Sequence, residues 1–319
     1  MARTKRGFPK QIYVLIAAAI VLGFLLLEVG RQTETEYAAR SLMEAELILG
    51  IPQIPDLVGW PKPMRDRLRE LHEEFQYESR RLEALKGLGT FYFINGFQGQ
   101  ARQCMEALSK IEPGEARWPY FLGLATEDFQ NKSIAIEAFR RSAAIDPRYP
   151  NTRYRLAHAL LASGERVEST ALLEGLSEEG GWEAWAAYGL ATGYAMEERF
   201  EAALEALDRA IASDPSTRSF YVLQEEVALF SGNREARQSA RGRYESLPFD
   251  REPFDPWTFS LWKECHDAFR LLRFSRELEL AGDLARSLDL LERAAAVEPD
   301  NEAVEEAALR LRDLFERAQ

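Results

Sequence analysis

Residues able to act as metal ligands or acid–base catalysts are few and far apart along the chain. There are three histidines, at His72, His158 and His266, and two cysteines, Cys104 and Cys265, which lie 161 positions apart. The segment "HEEFQ" begins like the zinc-binding motif H-E-x-x-H but has no second histidine four residues on. Neither cysteine has a second Cys or a His at metal-ligand spacing. We therefore predict no metal site, and we interpret the cysteines as small core residues and the histidines as surface or groove residues.

Sequence signatures of catalysis and of cofactor binding are also missing. The chain contains no P-loop, no G-x-G-x-x-G loop and no G-x-S-x-G nucleophile motif. Its abundant carboxylates fall mostly on the outer faces of amphipathic helices, where solvation explains them. The sequence thus predicts no catalytic residues, no cofactor and no small-molecule substrate. An enzyme is the least favoured class of function.

A row of tyrosines is the more regular feature. Tyr120, Tyr154, Tyr188 and Tyr221 follow one another at intervals of 34, 34 and 33 residues, and Lys86 stands 34 residues before the first of them. Tyrosine offers a large amphipathic contact surface at low entropic cost, which suits it to protein binding. The same spacing arises if the tyrosines pack successive structural units against each other. The sequence leaves both interpretations open.

The interval belongs to a repeat that runs through most of the chain. Apolar helical segments that end on an acidic residue and a proline close at Pro113, Pro147 and Pro215, which are 34 and 68 residues apart. Weaker or displaced ends of the same kind follow at Pro248 and Pro299. Proline ends these segments because it lacks an amide donor and its ring cannot continue the helix. A fixed period of this length predicts stacked helical hairpins, each of which buries its apolar face only against its neighbours.

Within the period, the residue types resemble the tetratricopeptide repeat family. The family pattern is W-x2-L-G-x2-Y in a first helix, then Ala and a large apolar residue in a second helix, then Pro. The tryptophan is missing from its slot, and Gly180-Gly181 stands where the third unit should have its proline. The matching residues are, by unit, Leu88-Gly89, Tyr92, Ala101, Met105 and Pro113; Leu122-Gly123, Ala135, Phe139 and Pro147; Leu156-Ala157, Ser169 and Leu173; Leu190-Ala191, Tyr194, Ala203, Leu207 and Pro215; and Leu223, Ala236, Ala240 and Pro248.

The resemblance implies an all-α fold, an α-solenoid of stacked helix-turn-helix repeats. It also implies that the first helices line a concave groove where extended peptides or partner helices dock. Each residue of the tyrosine row lies three positions before the small-residue site of its first helix, which Gln224 occupies in the fifth unit, and this places the row on the groove. The groove candidates are therefore Lys86, Tyr120, Tyr154, Tyr188 and Tyr221, with Leu124, His158 and Thr192 one turn further along the same face.

The N-terminus predicts a membrane anchor. Residues 11–30 are apolar over a length that spans a bilayer as a helix, and Glu28 is their single charge. The preceding residues carry four positive charges, at Arg3, Lys5, Arg6 and Lys10. A cleaved signal peptide is the alternative, although the apolar run is long for one and no A-x-A-like site follows it. The positive-inside rule places the N-terminus in the cytoplasm.

The chain divides into five predicted segments. They are a basic tail at 1–10, a transmembrane anchor at 11–30, juxtamembrane helices with a Pro-rich spacer at 31–81, five repeats at 82–248, and a segment at 249–319 with a Pro-rich insertion, a sixth unit and a capping helix. Long helices are expected over 64–89 and 258–282. Beyond residue 30 the chain carries 36 Lys and Arg against 51 Asp and Glu, a balance unsuited to nucleic acid or an anionic lipid surface.

Together these features predict a membrane-anchored scaffold that docks partner proteins. We expect a bacterial inner membrane with the repeats in the periplasm, and lipid contact through residues 11–30 alone. The alternative is a permanent architectural subunit of a large membrane complex. A mitochondrial outer-membrane import receptor with cytosolic repeats has the same layout, so the choice between bacterial and organellar membranes stays open.

Overall fold

The computed structural model describes residues 39–127, 132–247 and 252–318, which form helices, turns and loops. The chain separates into a unit of residues 1–49 and a body of residues 50–319. The first unit is described only from residue 39, where a helix, α1, runs to residue 50. The predicted anchor at 11–30 lies outside the described residues. No helix within the described ranges combines the length and the apolar character needed to cross a bilayer.

The body contains fifteen further helices within its described residues. In chain order they are α2 (Lys62–Phe75), α3 (Arg81–Ile94), α4 (Gln98–Ile111), α5 (Arg117–Thr126), α6 (Lys132–Ile145), α7 (Pro150–Ser163), α8 (Arg166–Ser177), α9 (Glu183–Met196), α10 (Phe200–Ser213), α11 (Arg218–Phe230), α12 (Arg234–Ser246), α13 (Pro256–Phe259), α14 (Ala268–Leu280), α15 (Leu284–Val297) and α16 (Glu302–Ala318). Each helix from α2 to α12 packs on the next, so α3–α12 form five stacked pairs. The all-α solenoid predicted from the period is confirmed.

Small residues set the close approach of the two helices in a pair. A Cβ added to Gly123 of α5 would lie 2.4 Å from Cε1 of Phe139, a fully buried residue of α6. A Cβ on Gly89 of α3 would lie 3.1 Å from the Cβ of Cys104 on α4. The helix axes therefore lie as close as these glycines permit, and the large apolar residue fills the space beside them.

The predicted long helix over 64–89 is wrong. Helix α2 ends at Phe75, a 3-10 turn spans Glu78–Arg80, and α3 begins at Arg81. The apolar face of α2, which includes Leu68 and Phe75, is buried where α2 packs against α3. A single straight helix over 64–89 would prevent this face of α2 from packing against α3. Burial of the face therefore outweighs the local preference for continued helix.

The predicted long helix over 258–282 is also wrong. It is divided into α13, a 3-10 turn at Trp262–Glu264, and α14. Asp267 caps α14, because its carboxylate accepts a hydrogen bond from the Arg270 amide at 2.9 Å. Just before this cap, the His266 amide donates to Oδ1 of Asn95 at 2.6 Å. Docking on the first repeat thus competes with helix formation in this stretch and prevails.

The C-terminal unit, α14–α16, shares its core with the first repeat. Ile94 at the end of α3 packs in one apolar cluster with Trp262, Cys265, Leu271 of α14 and Leu290 of α15. The side-chain amide of Asn95 donates to the Glu264 carbonyl at 2.8 Å. Residues 252–266 therefore carry the chain from the fifth repeat back to the first.

Candidate binding surface

The site is a segment of the chain that lies against the first helices of the second and third repeats. We call residues 252–259 the strap. We call the four residues that hold it the acceptor surface: Tyr120 of α5, Tyr149 at the N-cap of α7, and Asn151 and Arg155 of α7. Strap and acceptor surface are about 100 to 135 positions apart in sequence.

Two tyrosine hydroxyls bind one carboxylate of the strap. The Tyr120 hydroxyl donates to Oδ2 of Asp255 at 2.8 Å, and the Tyr149 hydroxyl donates to Oδ1. Asp255 also caps α13, accepting from the Trp257 amide at 3.0 Å and the Thr258 amide at 3.2 Å. Burial, together with the negative charge of Asp255, raises the pKa of Tyr120 well above its ordinary value. Both phenols therefore stay protonated as donors, and the carboxylate is fully ligated without an arginine.

The indole ring of Trp257 in the strap stacks on Tyr149. The rings of Trp257 and Tyr149 are parallel within 9°, with their centroids 3.6 Å apart. Tyr120 meets Trp257 edge to face at 5.3 Å. The Trp257 amide also donates to the Tyr149 hydroxyl at 3.1 Å. Tyr149 thus contacts the ring, the backbone and the neighbouring carboxylate of the bound segment, which makes it the central residue of the acceptor surface.

The remaining two residues bind the upstream part of the strap. The Asn151 side chain, which is 3% exposed, donates to the Phe254 carbonyl at 3.0 Å. Arg155 forms ion pairs with Glu252 of the strap and with Glu127 at 3.4 Å. Burial by itself would raise the pKa of Glu252, but Arg155 outweighs burial and holds that pKa below its ordinary value. The strap is therefore bound through two backbone groups, two carboxylates and one aromatic ring.

A cavity of about 300 Å³ remains beside the strap. Its walls combine apolar groups, such as Phe93, Leu124 and Phe274, with charged groups, such as Arg270 and Glu277. Helices α3, α5, α7 and α14 all contribute to its lining. The strap therefore does not fill the space between the first three repeats and the C-terminal unit.

The residues of the predicted tyrosine row differ in their surroundings. Tyr120 is fully buried beneath the strap. Tyr154 packs against Trp182 at 5.6 Å, and Tyr188 packs against Phe220 at 5.1 Å, so both bridge successive repeats. The Tyr221 hydroxyl donates to the Pro215 carbonyl at 3.1 Å. Their binding role stays a prediction, and these contacts fit the packing alternative at Tyr154, Tyr188 and Tyr221.

The other predicted groove residues are spread over separate repeats. Lys86 pairs with Glu83 at 3.0 Å and with Glu112 at 2.8 Å. Leu124 lines the cavity beside the strap. Thr192, half-buried, donates its hydroxyl to the Tyr188 carbonyl at 2.9 Å. The structure does not bring the eight predicted groove residues into one cluster; it distributes them along the first helices of successive repeats.

His158 is held neutral within the repeat stack. Its ring lies 4.4 Å from that of Tyr154 and 6.2 Å from that of Tyr188, measured between centroids. Its Nε2 atom is buried and has no hydrogen-bond partner among the described residues. Burial, with a smaller contribution from the charge of Arg155, lowers the pKa of His158 to about 4.

The two other histidines are half-buried, and each contacts an aromatic residue of α3. The His72 ring hydrogen-bonds to the Tyr92 hydroxyl at 2.9 Å, and the His266 ring packs on Phe91 at 5.9 Å. Both cysteines are buried, as predicted. The described residues contain no group of three or more His, Cys, Asp or Glu arranged to hold a metal ion.

Sequence reasoning missed most of the acceptor surface. Of its four residues only Tyr120 belongs to the predicted row, whereas Tyr149, Asn151 and Arg155 lie in or next to the same first helices without a repeated spacing. The sequence marks the strap only as a Pro-rich interruption of the array. Its composition held a usable signal, because "EPFDPW" combines two carboxylates with two large aromatic residues, and aromatic residues are enriched at protein contacts.

The fold defines the protein as an all-α solenoid of tetratricopeptide-like repeats. No protein-family model matches the chain, and no curated protein sequence does. Among solved structures it resembles a tetratricopeptide repeat protein from Parabacteroides merdae, with a TM-score of 0.52 and 12% identity over 78% of this chain and 91% of that one.

Two further structures match more loosely. PilF of Pseudomonas aeruginosa aligns at a TM-score of 0.45 with 13% identity over 77% of this chain and 98% of its own. MamA of Desulfovibrio magneticus RS-1 aligns at 0.44 with 16% identity over 57% of this chain and 95% of its own. At these identities the likeness concerns the fold alone.

Proposed function

We propose that the protein is a scaffold that binds partner proteins on the face formed by its first helices. Proteins with this repeat fold generally mediate protein–protein interactions, and the fold is typically non-catalytic. The observation that carries the proposal is the strap. Side chains of two successive first helices hold a segment that ends in one helical turn, through its carboxylates, its backbone and an aromatic ring. A surface that does this within the chain has the chemistry to do it for a partner.

The test compares two insertions of the same side chain. Thr192→Arg places a long cation beyond the strap, one turn from Tyr188 on the predicted face. Val167→Arg places the same group on α8, where Val167 is 88% exposed. Full-length tagged chains are isolated from native membranes in mild detergent, and copurifying proteins are quantified by mass spectrometry. We expect the Thr192 variant to lose a partner about tenfold, since a misplaced charge at a contact costs 1.4 kcal/mol or more.

Equal recovery by the two variants, with equal melting temperatures, would exclude this part of the face as a binding surface. A partner that stays bound at constant stoichiometry through high salt and dilution would instead favour the alternative, a permanent subunit of a larger complex. The same preparation therefore distinguishes docking of partner proteins from permanent assembly into a larger complex.

We propose further that residues 11–30 anchor the scaffold in a bacterial inner membrane, with the repeats in the periplasm. The support is sequence composition: one charge in twenty residues, preceded by four cations. Protease added to intact spheroplasts should then digest the repeats and leave a short membrane-bound stub. Protection of the full-length chain would refute this topology, and a mature N-terminus beyond Gly30 would indicate a cleaved signal peptide.

A further inference from the structure

The strap is bound by contacts that are specific but shallow. Phe254 is 60% exposed, and the Glu252 side chain is 53% exposed even while paired with Arg155. Helix α13 contains only four residues. Phe259, at the end of the strap, packs against the apolar cluster that contains Trp262, so it is the strap upstream of Phe259 that is held mainly by polar and stacking contacts. Contacts of this kind exchange readily with equivalent ones from another segment.

The seated strap also leaves a polar group unsatisfied next to it. The indole Nε1 of Trp262, three residues after the strap, is buried and has no hydrogen-bond partner among the described residues. A buried donor without an acceptor costs free energy, so it destabilises the arrangement that buries it. The cavity of about 300 Å³ beside Leu124 shows that the strap occupies the surface without filling the volume next to it.

We propose that the strap is an intramolecular ligand, and that a partner segment of the same chemistry displaces it from the acceptor surface. The partner segment carries a carboxylate followed two residues later by an aromatic ring, with a second carboxylate three residues upstream. The spacing is that of Glu252, Asp255 and Trp257, which are the groups bound by Arg155, by Tyr120 with Tyr149, and by Tyr149 respectively. This inference rests on the proposed scaffold function and names the class of its partner.

Competition with a tethered segment determines how such a partner binds. A strap joined to the chain acts at an effective concentration on the order of millimolar. An isolated peptide with the same contacts binds weakly until the strap is released. A partner with further contacts, for example in the cavity beside Leu124, overcomes this barrier and gains selectivity from it.

The probe is a fluorescent synthetic peptide with the sequence EPFDPWTF, which is that of the strap. It is titrated against the full-length chain in mild detergent and followed by fluorescence anisotropy. The released variant carries Asp255→Asn and Trp257→Ala; asparagine still caps α13 but lacks the charge. We expect the released variant to bind the peptide at least about tenfold more tightly than the wild type. Tyr149→Ala in the released background should abolish that gain.

The matched control is Phe269→Ala, which removes an aromatic ring of α14 that is 73% exposed and lies outside the strap. It should bind the peptide as the wild type does. A peptide with asparagine and alanine in place of its aspartate and tryptophan should bind neither chain. Equal affinity of the wild-type and released chains for the unchanged peptide would overturn the proposal.

A second measurement applies even if the released variant folds poorly. In the wild type, the Trp257 amide donates to Tyr149 and to Asp255, so its hydrogen exchange reports the seated strap. Excess peptide should accelerate amide exchange across residues 257–259 and leave α9 unchanged. Unchanged exchange at peptide concentrations that saturate anisotropy would show that the peptide binds elsewhere. A concentration-dependent dimer of the wild type in sedimentation that the released variant does not form would show strap exchange between two copies and overturn the single-chain arrangement.

Failure of the scaffold function gives a different result. If the peptide displaces the strap but neither the wild type nor the released variant recovers a partner from native membranes, the exchangeable strap stands and the scaffold function is wrong. If a partner is recovered equally by both chains and the peptide does not compete with it, the scaffold function stands and the strap proposal is wrong.

Discussion

Replacing Gly123 by alanine tests the close approach of paired helices on which the solenoid is built. The added Cβ would lie 2.4, 2.6 and 2.7 Å from three ring carbons of Phe139. Ordinary contact begins near 3.4 Å, so the ring or the helix must move by about 1 Å. Phe139 is fully buried and packs against Tyr120 at 6.0 Å between centroids, which leaves the ring little room to move.

The magnitude follows from two opposing effects. Replacing glycine by alanine inside a helix stabilises it by about 1 kcal/mol, because alanine loses less backbone entropy. Overpacking a filled core costs about 1–3 kcal/mol. Gly175→Ala in α8 is the matched control, since an added Cβ there meets no atom within 4 Å and only the gain applies. The difference in unfolding free energy between the two variants therefore isolates the overpacking cost, about 1–3 kcal/mol.

The assay is urea unfolding followed by far-UV circular dichroism. With a denaturant dependence of about 3 kcal/mol per molar urea, the two midpoints should differ by about 0.3–1 M. Phe139→Leu shortens the opposing side chain, so the double variant should be less destabilised than the sum of the single ones. The reasoning is refuted if Gly123→Ala is as stable as Gly175→Ala and its effect is additive with that of Phe139→Leu.

Three further predictions concern other parts of the body. The pKa of His158 is about 4 in the folded chain and near 6.5 when unfolded, so the folded state binds fewer protons and the free energy of unfolding falls as the pH drops from about 6.5 to about 4. This loss amounts to roughly 3 kcal/mol, and His158→Gln should remove it from a pH series of urea titrations. Asn95→Ala leaves the His266 amide and the Glu264 carbonyl without their partner, so we expect a loss of about 1–3 kcal/mol and faster hydrogen exchange in α14–α16; exchange that rises equally in α9 would contradict this. Burial raises the pKa of Cys265 to about 11 and that of Cys104 higher. Neither thiol should therefore react with a disulfide reagent near pH 8 until the chain is unfolded. Rapid labelling of the native protein would count against the described core.

The repeat architecture follows from the sequence because its causes are local. The small residue at Gly123 and the large one at Phe139 lie 16 positions apart, and the same relation recurs from unit to unit. Helix ends at Pro113, Pro147 and Pro215 depend only on the residues beside them. The period therefore predicts the stacked pairs without knowledge of the tertiary structure.

The strap could not be predicted, since the contacts that place it are long-range and follow no period. Asp255 meets Tyr120 across 135 positions, and Asn95 meets Glu264 across 169. Both contacts depend on the C-terminal unit packing against Ile94 of the first repeat. The burial of Trp262, Cys265 and Leu271 stabilises that packing. A helix-favouring stretch from 258 to 282 is broken because these contacts are worth more than continued helix. Local patterns thus determine the helical pairs, whereas tertiary packing alone decides that the chain turns back and covers part of the face formed by its first helices.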